Sequence, residues 1–390
     1  MGRYLASFLT AIQGGEALSQ DGQQLATDVK RSSRDLEAVR LGLQQALRAQ
    51  VPKGSGHSVD SISGTSANGM SSETLLFDAS WTEDGSRRTE KLVARIAPQE
   101  ADIPVFPTYD LPGQYRTIKA VSELTDVPVP PPWWCEPDPH LIGSPFFVMG
   151  RVEGDVPADV PPYNFGDGWV YNASQAQLAK MQETTVAVLA ELHAIPDPVK
   201  HFPHLAGDLP GQSALRRHVA SRRSWYEWAA RDSGRSRLLE RVFAWLEDHW
   251  PTHESDAVFC WGDSRIGNVM YRDFEPSAVL DWEMAAIAPA ETDLAWMAYL
   301  HRMFEDMAVT YGFPHMPAFL LLEDLATTYE RLTGHAPRNL EWYFVYAALQ
   351  LGIVYLRTGV RAVHFGEREA PADADELLLN ADGLRALICA

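Results

Sequence analysis

Residues 260–271 read CWGDSRIGNVMY, and residues 278–283 read AVLDWE. Asp263 and Asn268 are five positions apart, and Asp281 follows Asp263 by 18 positions. Apolar, strand-like residues come before Asp263, after Asn268 and before Asp281. Because a tight hairpin can bring such strands side by side, three oxygen-bearing side chains at strand ends can converge on one point. The pattern therefore predicts a polar site.

Phosphoryl transfer needs such a set of groups. One carboxylate orients the acceptor hydroxyl and accepts its proton, while an amide oxygen and a second carboxylate hold Mg²⁺ against the phosphates. The protein-kinase catalytic loop has the same Asp-x-x-x-x-Asn spacing, with its metal-binding aspartate downstream. Taken singly, Asp263 and Asn268 could be turn residues and Asp281 a helix cap. All three at this spacing favour the catalytic interpretation.

Composition excludes several classes of protein. The 390 residues are 46% hydrophobic and 22% charged, which predicts two or three globular units and excludes wholesale disorder. The 33 basic and 52 acidic residues give a net charge of −19, which disfavours nucleic acid and anionic membranes as partners. Cys135, Cys260 and Cys389 are scattered, as is typical of a reducing cytoplasm. The apolar stretch 342–356 is shorter than the ~18 residues of a membrane span and predicts a buried helix. We therefore expect a cytoplasmic protein, and its oligomeric state stays open.

The predicted secondary structure changes along the chain. Residues 1–50 read as a helical extension, residues 51–150 as a β-rich region, and residues 151–390 as a mainly helical region. A turn at Asp84-Gly85 separates two strand-like runs, as in a hairpin. The predicted strands before residue 153 are 59–63, 74–81, 91–97, 133–136 and 145–152. We predict an α+β fold with a small β-rich part, a larger helical part and a ligand site between them.

Three strings carry a family resemblance, namely WGDSRIGNVMYRDF (261–274), AVLDWEMAAIAP (278–289) and TDLAW (292–296). They resemble the signature of the aminoglycoside phosphotransferase family and, more narrowly, a branch of actinobacterial phosphotransferases. Further matching strings are KLVARIAP (91–98), TDVPVPPPWW (125–134) and GSPFFVMGRVEG (143–154). The resemblance covers about residues 57–365 and implies a bilobal, protein-kinase-like fold. Residues 51–150 would form its nucleotide-binding lobe, and residues 151–390 a helical lobe with the catalytic and acceptor sites.

The resemblance also implies a role for each residue of the motif. Asp263 would be the catalytic aspartate, and Asn268 and Asp281 would be ligands of Mg²⁺. Arg265 lies where protein-kinase catalytic loops have a lysine and could neutralise the transferred phosphoryl group; a surface ion pair is the alternative. Trp261 stands where the family usually has a histidine in a supporting role.

Contacts with ATP are expected mainly in the first 152 residues. Gly64–Ser72 resembles a nucleotide-covering loop, in which glycines let the backbone approach phosphates closely. Arg95 stands where kinases have a strand lysine, and its guanidinium can bind two phosphate oxygens. The helix glutamate that usually pairs with that lysine is best matched by Gln114, which could donate a hydrogen bond but no charge. With the interlobe hinge included, the predicted nucleotide-binding residues are Gly64, Gly69, Ser71, Ser72, Arg95, Gln114, Gly150 and Val152.

These observations predict an enzyme that uses ATP and Mg²⁺ to phosphorylate a hydroxyl of a small molecule. One alternative is a non-catalytic, nucleotide-binding or ligand-sensing member of the same fold. A protein kinase is disfavoured, because the sequence has no His-Arg-Asp, Asp-Phe-Gly or Ala-Pro-Glu element.

Two acceptor classes remain open at this stage. An aminoglycoside or other amine-bearing acceptor is favoured by carboxylates of the C-terminal half, among them Glu291, Asp293, Glu305, Asp306 and Glu367. An anionic hydroxy acid is favoured by the basic residues Arg357, Arg361 and His364.

Overall fold

Five strands form an antiparallel sheet in the first part of the computed structural model, which describes residues 34–64, 72–207 and 212–389. The order of the strands across the sheet is β1-β2-β3-β5-β4. Their bounds are β1 Ser55–Gly64, β2 Glu73–Glu83, β3 Ser86–Ile96, β4 Pro132–Glu136 and β5 Phe146–Gly150. Predictions made for residues 1–33, Gly69 and Ser71 lie outside the described residues.

The hairpin between β2 and β3 follows from its turn residues. Asp84 and Gly85 both have positive φ angles, +48° and +76°, as a two-residue type I′ turn requires. The ladder begins directly at the turn, where Glu83 pairs with Ser86. The turn predicted at Asp84-Gly85 is confirmed.

A helix, α1 (Leu36–Gln50), packs on this sheet. Its side chains Val39, Leu43 and Leu47 are buried in one core with residues of the sheet such as Phe77. We therefore propose to count α1 with the N-terminal lobe rather than with an extension that ends at residue 50. The other predicted domain bounds stay predictions.

The second helix, α2 (Leu111–Leu124), packs against β4 and β5. Asp110 caps its first turn, because its carboxylate accepts the N–H of Gly113 at 2.8 Å. After β5, the chain leaves the sheet at Gly150 and enters the helical part.

Helices dominate the chain after residue 172. They are α3 Gln175–His193, α4 Pro198–His201, α5 Ala214–Ser233, α6 Arg237–Asp248, α7 Glu291–Tyr311, α8 Leu322–Thr333, α9 Leu340–His364 and α10 Ala381–Cys389. Helix α9 packs on α5, α6 and α7, and the residues along 342–353 are almost all buried, so the predicted buried helix is confirmed. In the described ranges, every helix is too short or too polar to span a lipid bilayer.

Two small antiparallel pairs interrupt the helices and position the polar motif. The first pairs β6 (Ala257–Cys260) with β9 (Ala286–Pro289), and the second is the hairpin of β7 (Val269–Arg272) and β8 (Glu275–Val279). Asp263 lies just after β6, Asn268 just before β7 and Asp281 just after β8. The strands predicted around these three residues are confirmed. Strand β9 was not predicted.

Candidate active site

The loop after β6 passes close to the segment that follows Asp281. Gly262 has φ +91°, and a Cβ atom there would lie 2.0 Å from the carbonyl oxygen of Met284. Only glycine fits such an approach at this backbone angle. The backbone contact fixes the position of the next residue, Asp263.

Asp293, near the start of α7, accepts hydrogen bonds from the backbone of the same loop. Its two carboxylate oxygens accept the N–H groups of Trp261 and Gly262, each at 2.8 Å. The hydroxyl of Ser264 donates to the Asp293 carbonyl at 2.8 Å. His193 Nε2 lies 3.1 Å from Asp293 Oδ2, so helix α3 is tied to this point as well.

Asp263 is largely enclosed, with 14% of its side chain exposed. Trp296 Nε1 donates a hydrogen bond to its Oδ1 at 2.7 Å. Burial raises the pKa of the Asp263 carboxyl above its ordinary value; Arg265 opposes this rise and the nearby Asp281 carboxylate adds to it. A carboxylate whose pKa is raised is better suited to accept a proton than an exposed one.

Arg265 lies between two carboxylates. Its Nη1 is 2.7 Å from both oxygens of Asp159, and its Nε is 3.4 Å from Asp263 Oδ1. Burial would lower the pKa of Arg265, but Asp159 and Asp263 raise it more, so the guanidinium stays charged. The ion pair with Asp159 is only 17% exposed on either side, so it is not a surface pair. Sequence reasoning missed Asp159.

Asn268 and Asp281 both line the cleft described below. Asn268 Nδ2 donates to the carbonyl of Asp263 at 3.1 Å, and the Leu280 N–H donates to the Asn268 carbonyl at 2.8 Å. An amide oxygen and a carboxylate on one wall are hard donors, and this donor set fits Mg²⁺.

Arg95 crosses from the sheet to the helical part. Its Nη1 donates to Thr74 Oγ1 at 3.0 Å, and its Nη2 lies 3.1 Å from Asp281 Oδ1 and 3.9 Å from Glu283 Oε2. Gln114 lines the same cleft as Arg95, and a hydrogen bond between the two side chains stays a prediction. The carboxylates near Arg95 come from the segment after β8. Glu283 lies within the quoted motif, but nothing in that motif indicates that it faces Arg95.

A cleft of about 460 Å³ lies between the sheet and this loop region. Its walls include the predicted residues Arg95, Gln114, Gly150, Val152, Asn268 and Asp281. Apolar side chains of both lobes, such as Val93, Phe147 and Met270, form the rest, as suits a flat aromatic ring. The structure therefore brings together most of the nucleotide and metal residues expected from the sequence.

The glycine-rich loop is only partly described. Gly64 ends β1, and Ser72 is buried with a hydroxyl that has no hydrogen-bond partner among the described residues. Neither residue lines the cleft. Their contact with a nucleotide, like that of Gly69 and Ser71, stays a prediction.

Trp261 joins the two loops of the site. Its buried indole Nε1 donates to the carbonyl of Leu280 at 2.9 Å and to that of Asp281 at 3.2 Å. A donor at this position therefore supports the backbone of the Asp281 loop. This accounts for a tryptophan where the resemblance predicted a histidine.

Comparison with known proteins extends the resemblance over most of the chain. A family model described as the phosphotransferase enzyme family matches residues 73–335. Among curated proteins, acyl-CoA dehydrogenase family member 11 of Mus musculus is 23% identical over 254 residues, 63% of this chain and 31% of the mouse protein. The Homo sapiens protein of that name is 24% identical over 256 residues, 65% of this chain and 31% of its own length. The chain spans about a third of the length of these curated relatives.

Solved structures show the fold. A Ralstonia eutropha protein assigned as an aminoglycoside phosphotransferase has a TM-score of 0.60 at 19% identity, over 91% of this chain and 97% of that one. A thermostable mutant of aminoglycoside phosphotransferase APH(4)-Ia, in a complex with ADP and hygromycin B, has 0.52 at 14%, over 89% and 98%. Macrolide 2′-phosphotransferase MphH of Brachybacterium faecium has 0.51 at 16%, over 85% and 99%. This likeness confirms the predicted bilobal, kinase-like α+β fold.

Proposed function

The chain belongs to the phosphotransferase enzyme family, and we propose that it moves the γ-phosphoryl group of ATP, with Mg²⁺, to a hydroxyl of a small molecule. The observation that carries the proposal is the convergence of three residues: Asn268 and Asp281 line the cleft, and Asn268 Nδ2 donates to the carbonyl of Asp263. Two short strand pairs hold the loop of Asp263 and Asn268 against the loop of Asp281, where the Leu280 N–H donates to the Asn268 carbonyl.

Asp263 is the proposed base. As the acceptor oxygen bonds to the γ-phosphorus, the bond from phosphorus to the β–γ bridging oxygen breaks, and ADP leaves with that electron pair. The proton of the acceptor hydroxyl goes to the Asp263 carboxylate, whose raised pKa favours its uptake. Trp296 fixes the orientation of this carboxylate through its hydrogen bond to Oδ1.

Charge on the phosphates is the second requirement of the reaction. Asn268 and Asp281 would hold Mg²⁺, which when bound supplies positive charge between the phosphates. Arg95, at the opposite wall, would bind phosphate oxygens through its guanidinium. Arg265 lies 3.4 Å from Asp263, close enough to stabilise charge on the transferred group.

A non-catalytic nucleotide-binding protein is the main alternative. It is disfavoured because Asp263, Asn268 and Asp281 are all present and their loops are in contact, and because burial raises the pKa of Asp263, as suits a general base. The acyl-CoA dehydrogenase activity in the relatives' name is not carried over, since the chain covers only 31% of those proteins.

Three of the carboxylates that favoured an amine-bearing acceptor are buried and hydrogen-bonded within the protein. Glu291 accepts hydrogen bonds from Ser255 and the backbone of Arg338, and it is fully buried. Glu305 is buried and accepts from Asn164. With Asp293 committed to the catalytic loop, these carboxylates are not available to attract a cation. The charge of the acceptor needs other evidence.

The test is acceptor-dependent ADP release by the purified chain with ATP and Mg²⁺. The panel contains neutral polyols, sugars, aminoglycosides, choline-like amines, hydroxy acids and a hydroxyacyl-CoA, the last because of the relatives' name. We expect at least one acceptor to stimulate ADP release and to gain one phosphoryl group in mass spectrometry. Tight MgATP binding with no transfer to any class would favour the non-catalytic alternative.

A further inference from the structure

A second cavity, of about 360 Å³, lies beside the nucleotide cleft. Gln114 and Trp282 line both spaces. Another wall residue, Ala285, has its backbone nitrogen 2.9 Å from the position of a Cβ on Gly262, the neighbour of Asp263. The wall of the cavity at Ala285 therefore lies beside the backbone of the catalytic loop at Gly262.

Arg222 of helix α5 lines this cavity and lacks an acidic partner. Its Nε donates to Gln350 Oε1 at 2.8 Å, and its Nη2 donates to His218 Nε2 at 3.0 Å. Within residues 34–64, 72–207 and 212–389, no carboxylate pairs with it and its Nη1 has no hydrogen-bond partner. Arg222 is half-buried, and a guanidinium held by neutral groups alone loses part of its hydration without gaining an ion pair.

His218 cannot supply the missing negative charge and is itself neutral. Its Nδ1 lies 2.8 Å from the hydroxyl of Tyr346, so the ring can donate there while Nε2 accepts from Arg222. Burial and the adjacent guanidinium of Arg222 keep the pKa of His218 well below its ordinary value. The network around Arg222 therefore holds a single positive charge.

The other ionisable groups of the cavity wall have partners of their own. Asp110 caps α2 and lies 3.6 Å from Arg116, and Glu283 lies 3.9 Å from Arg95. His204 is hydrogen-bonded to Thr117 and has a lowered pKa, mainly through burial. Arg222 is thus the cation of the described wall that remains to be neutralised.

We propose that this cavity is the acceptor pocket and that Arg222 binds an anionic group, a carboxylate or phosphate ester, on the acceptor. The inference rests on the proposed phosphoryl transfer and names its substrate class. The free Nη1 and the adjacent Nη2 edge form one side of a guanidinium fork, which matches two oxygens of such an anion. The acceptor hydroxyl then extends toward the catalytic loop along the wall formed by Trp282 and Ala285.

The experiment uses four compounds that share a three-carbon backbone with free hydroxyls: glycerol, glycerate, glycerol 3-phosphate and 3-amino-1,2-propanediol. Binding is measured by calorimetry without nucleotide at fixed ionic strength, and turnover is measured by ADP release. The variants are Arg222→Gln, Arg222→Lys and the control Arg223→Gln. Arg223 is next on the same helix but pairs with Glu227 and Glu240.

We expect glycerate or glycerol 3-phosphate to bind and to react better than glycerol. Arg222→Gln should raise the Kd and KM of the anionic compound about 10- to 100-fold, as for loss of a charge-assisted hydrogen bond, and leave glycerol and MgATP unchanged. Arg222→Lys should recover part of the loss, and Arg223→Gln should match the wild type. If Arg222→Gln weakens binding of glycerate, the group recognised is a carboxylate; if it weakens binding of glycerol 3-phosphate, the group is a phosphate ester.

Three results would overturn the inference: no binding of either anion to the wild type, an equal loss for glycerol in Arg222→Gln, or preference for the amine. Anion binding that depends on Arg222, without ADP release from any acceptor, would instead contradict the proposed function and leave the anion site standing.

Discussion

At the scale of single residues, the raised pKa of Asp263 sets the pH range of the proposed reaction. A protonated carboxyl cannot accept the acceptor proton, so kcat/KM should fall as the pH drops through that raised pKa. The acid limb should therefore lie above the ~3.9 of an unperturbed aspartate. A profile of kcat/KM from about pH 4 to about pH 9 checks this. A limb at the ordinary carboxyl pKa would show that Asp263 does not act as the base in this environment.

Replacing the proposed base separates chemistry from binding. Asp263→Asn should lower kcat about 10²- to 10⁴-fold, because the amide cannot take up the proton. The affinity for MgATP should change little, since the carboxylate acts on the acceptor hydroxyl. Single-turnover kinetics and calorimetry give the two values. Turnover at the wild-type rate would remove Asp263 from the mechanism.

Asp281 allows a matched test of the metal site. It has φ +58°, a region that asparagine also tolerates, so Asp281→Asn should keep the backbone. The neutral amide should weaken MgATP binding about 10- to 100-fold and reduce its dependence on Mg²⁺. Asp273→Asn, at an exposed turn with φ +54°, is the control. Calorimetric titrations at several Mg²⁺ concentrations should leave this control unchanged; equal behaviour of both variants would argue against Asp281 as a ligand.

At the scale of elements, Gly262 fixes the loop between β6 and β7. Gly262→Ala should destabilise the chain by more than about 2 kcal/mol, because the left-handed penalty is joined by a clash with the Met284 carbonyl. Gly312→Ala, at the end of α7 in the left-handed helical region (φ +71°, ψ +27°) with open space around it, should cost only about 1–2 kcal/mol. Urea unfolding curves compare the two. Similar losses would mean that the loop can move away from residue 284.

The packing of α1 gives a second test at this scale. Leu43 is fully buried in the core of the sheet, whereas Leu41 on the same helix is 51% exposed. Leu43→Ala should lower the free energy of unfolding by about 2–5 kcal/mol, and Leu41→Ala should stay within about 0.5 kcal/mol of the wild type. Urea unfolding curves give the free energy of unfolding of both variants. If the two variants are equally stable, α1 is an extension rather than part of the N-terminal lobe.

At the scale of the whole molecule, local patterns predicted the fold well. The Asp84-Gly85 turn, the strand-like run at 74–81 and the long apolar run of α9 each depend on neighbouring residues, so these features can be predicted from the sequence. Strand β9 was missed because it has four residues, ends in proline and exists only through its pairing with β6.

The site was predicted where its residues share one motif and missed where partners come from distant segments. Asp263, Asn268 and Asp281 follow from spacing. Asp159 lies in the segment between β5 and α3, 106 positions before its partner Arg265, and α5 brings Arg222 to the second cavity. Such contacts depend on how the lobes and helices pack, which spacing does not encode. Burial of a charged residue also depends on packing, so the sequence could not show that Glu291, predicted in the acceptor pocket, is fully buried.

The contact of Arg95 with Asp281 has a kinetic consequence for the cleft. If Arg95 binds phosphate oxygens as proposed, its guanidinium must first give up Asp281, so entry of a nucleotide would be an exchange of partners rather than the filling of a vacant charge. When the product leaves, Arg95 can pair with Asp281 again, because both residues stay on the walls of the cleft. Such an exchange would weaken affinity and shorten residence time together. A cleft built in this way favours fast release over tight retention.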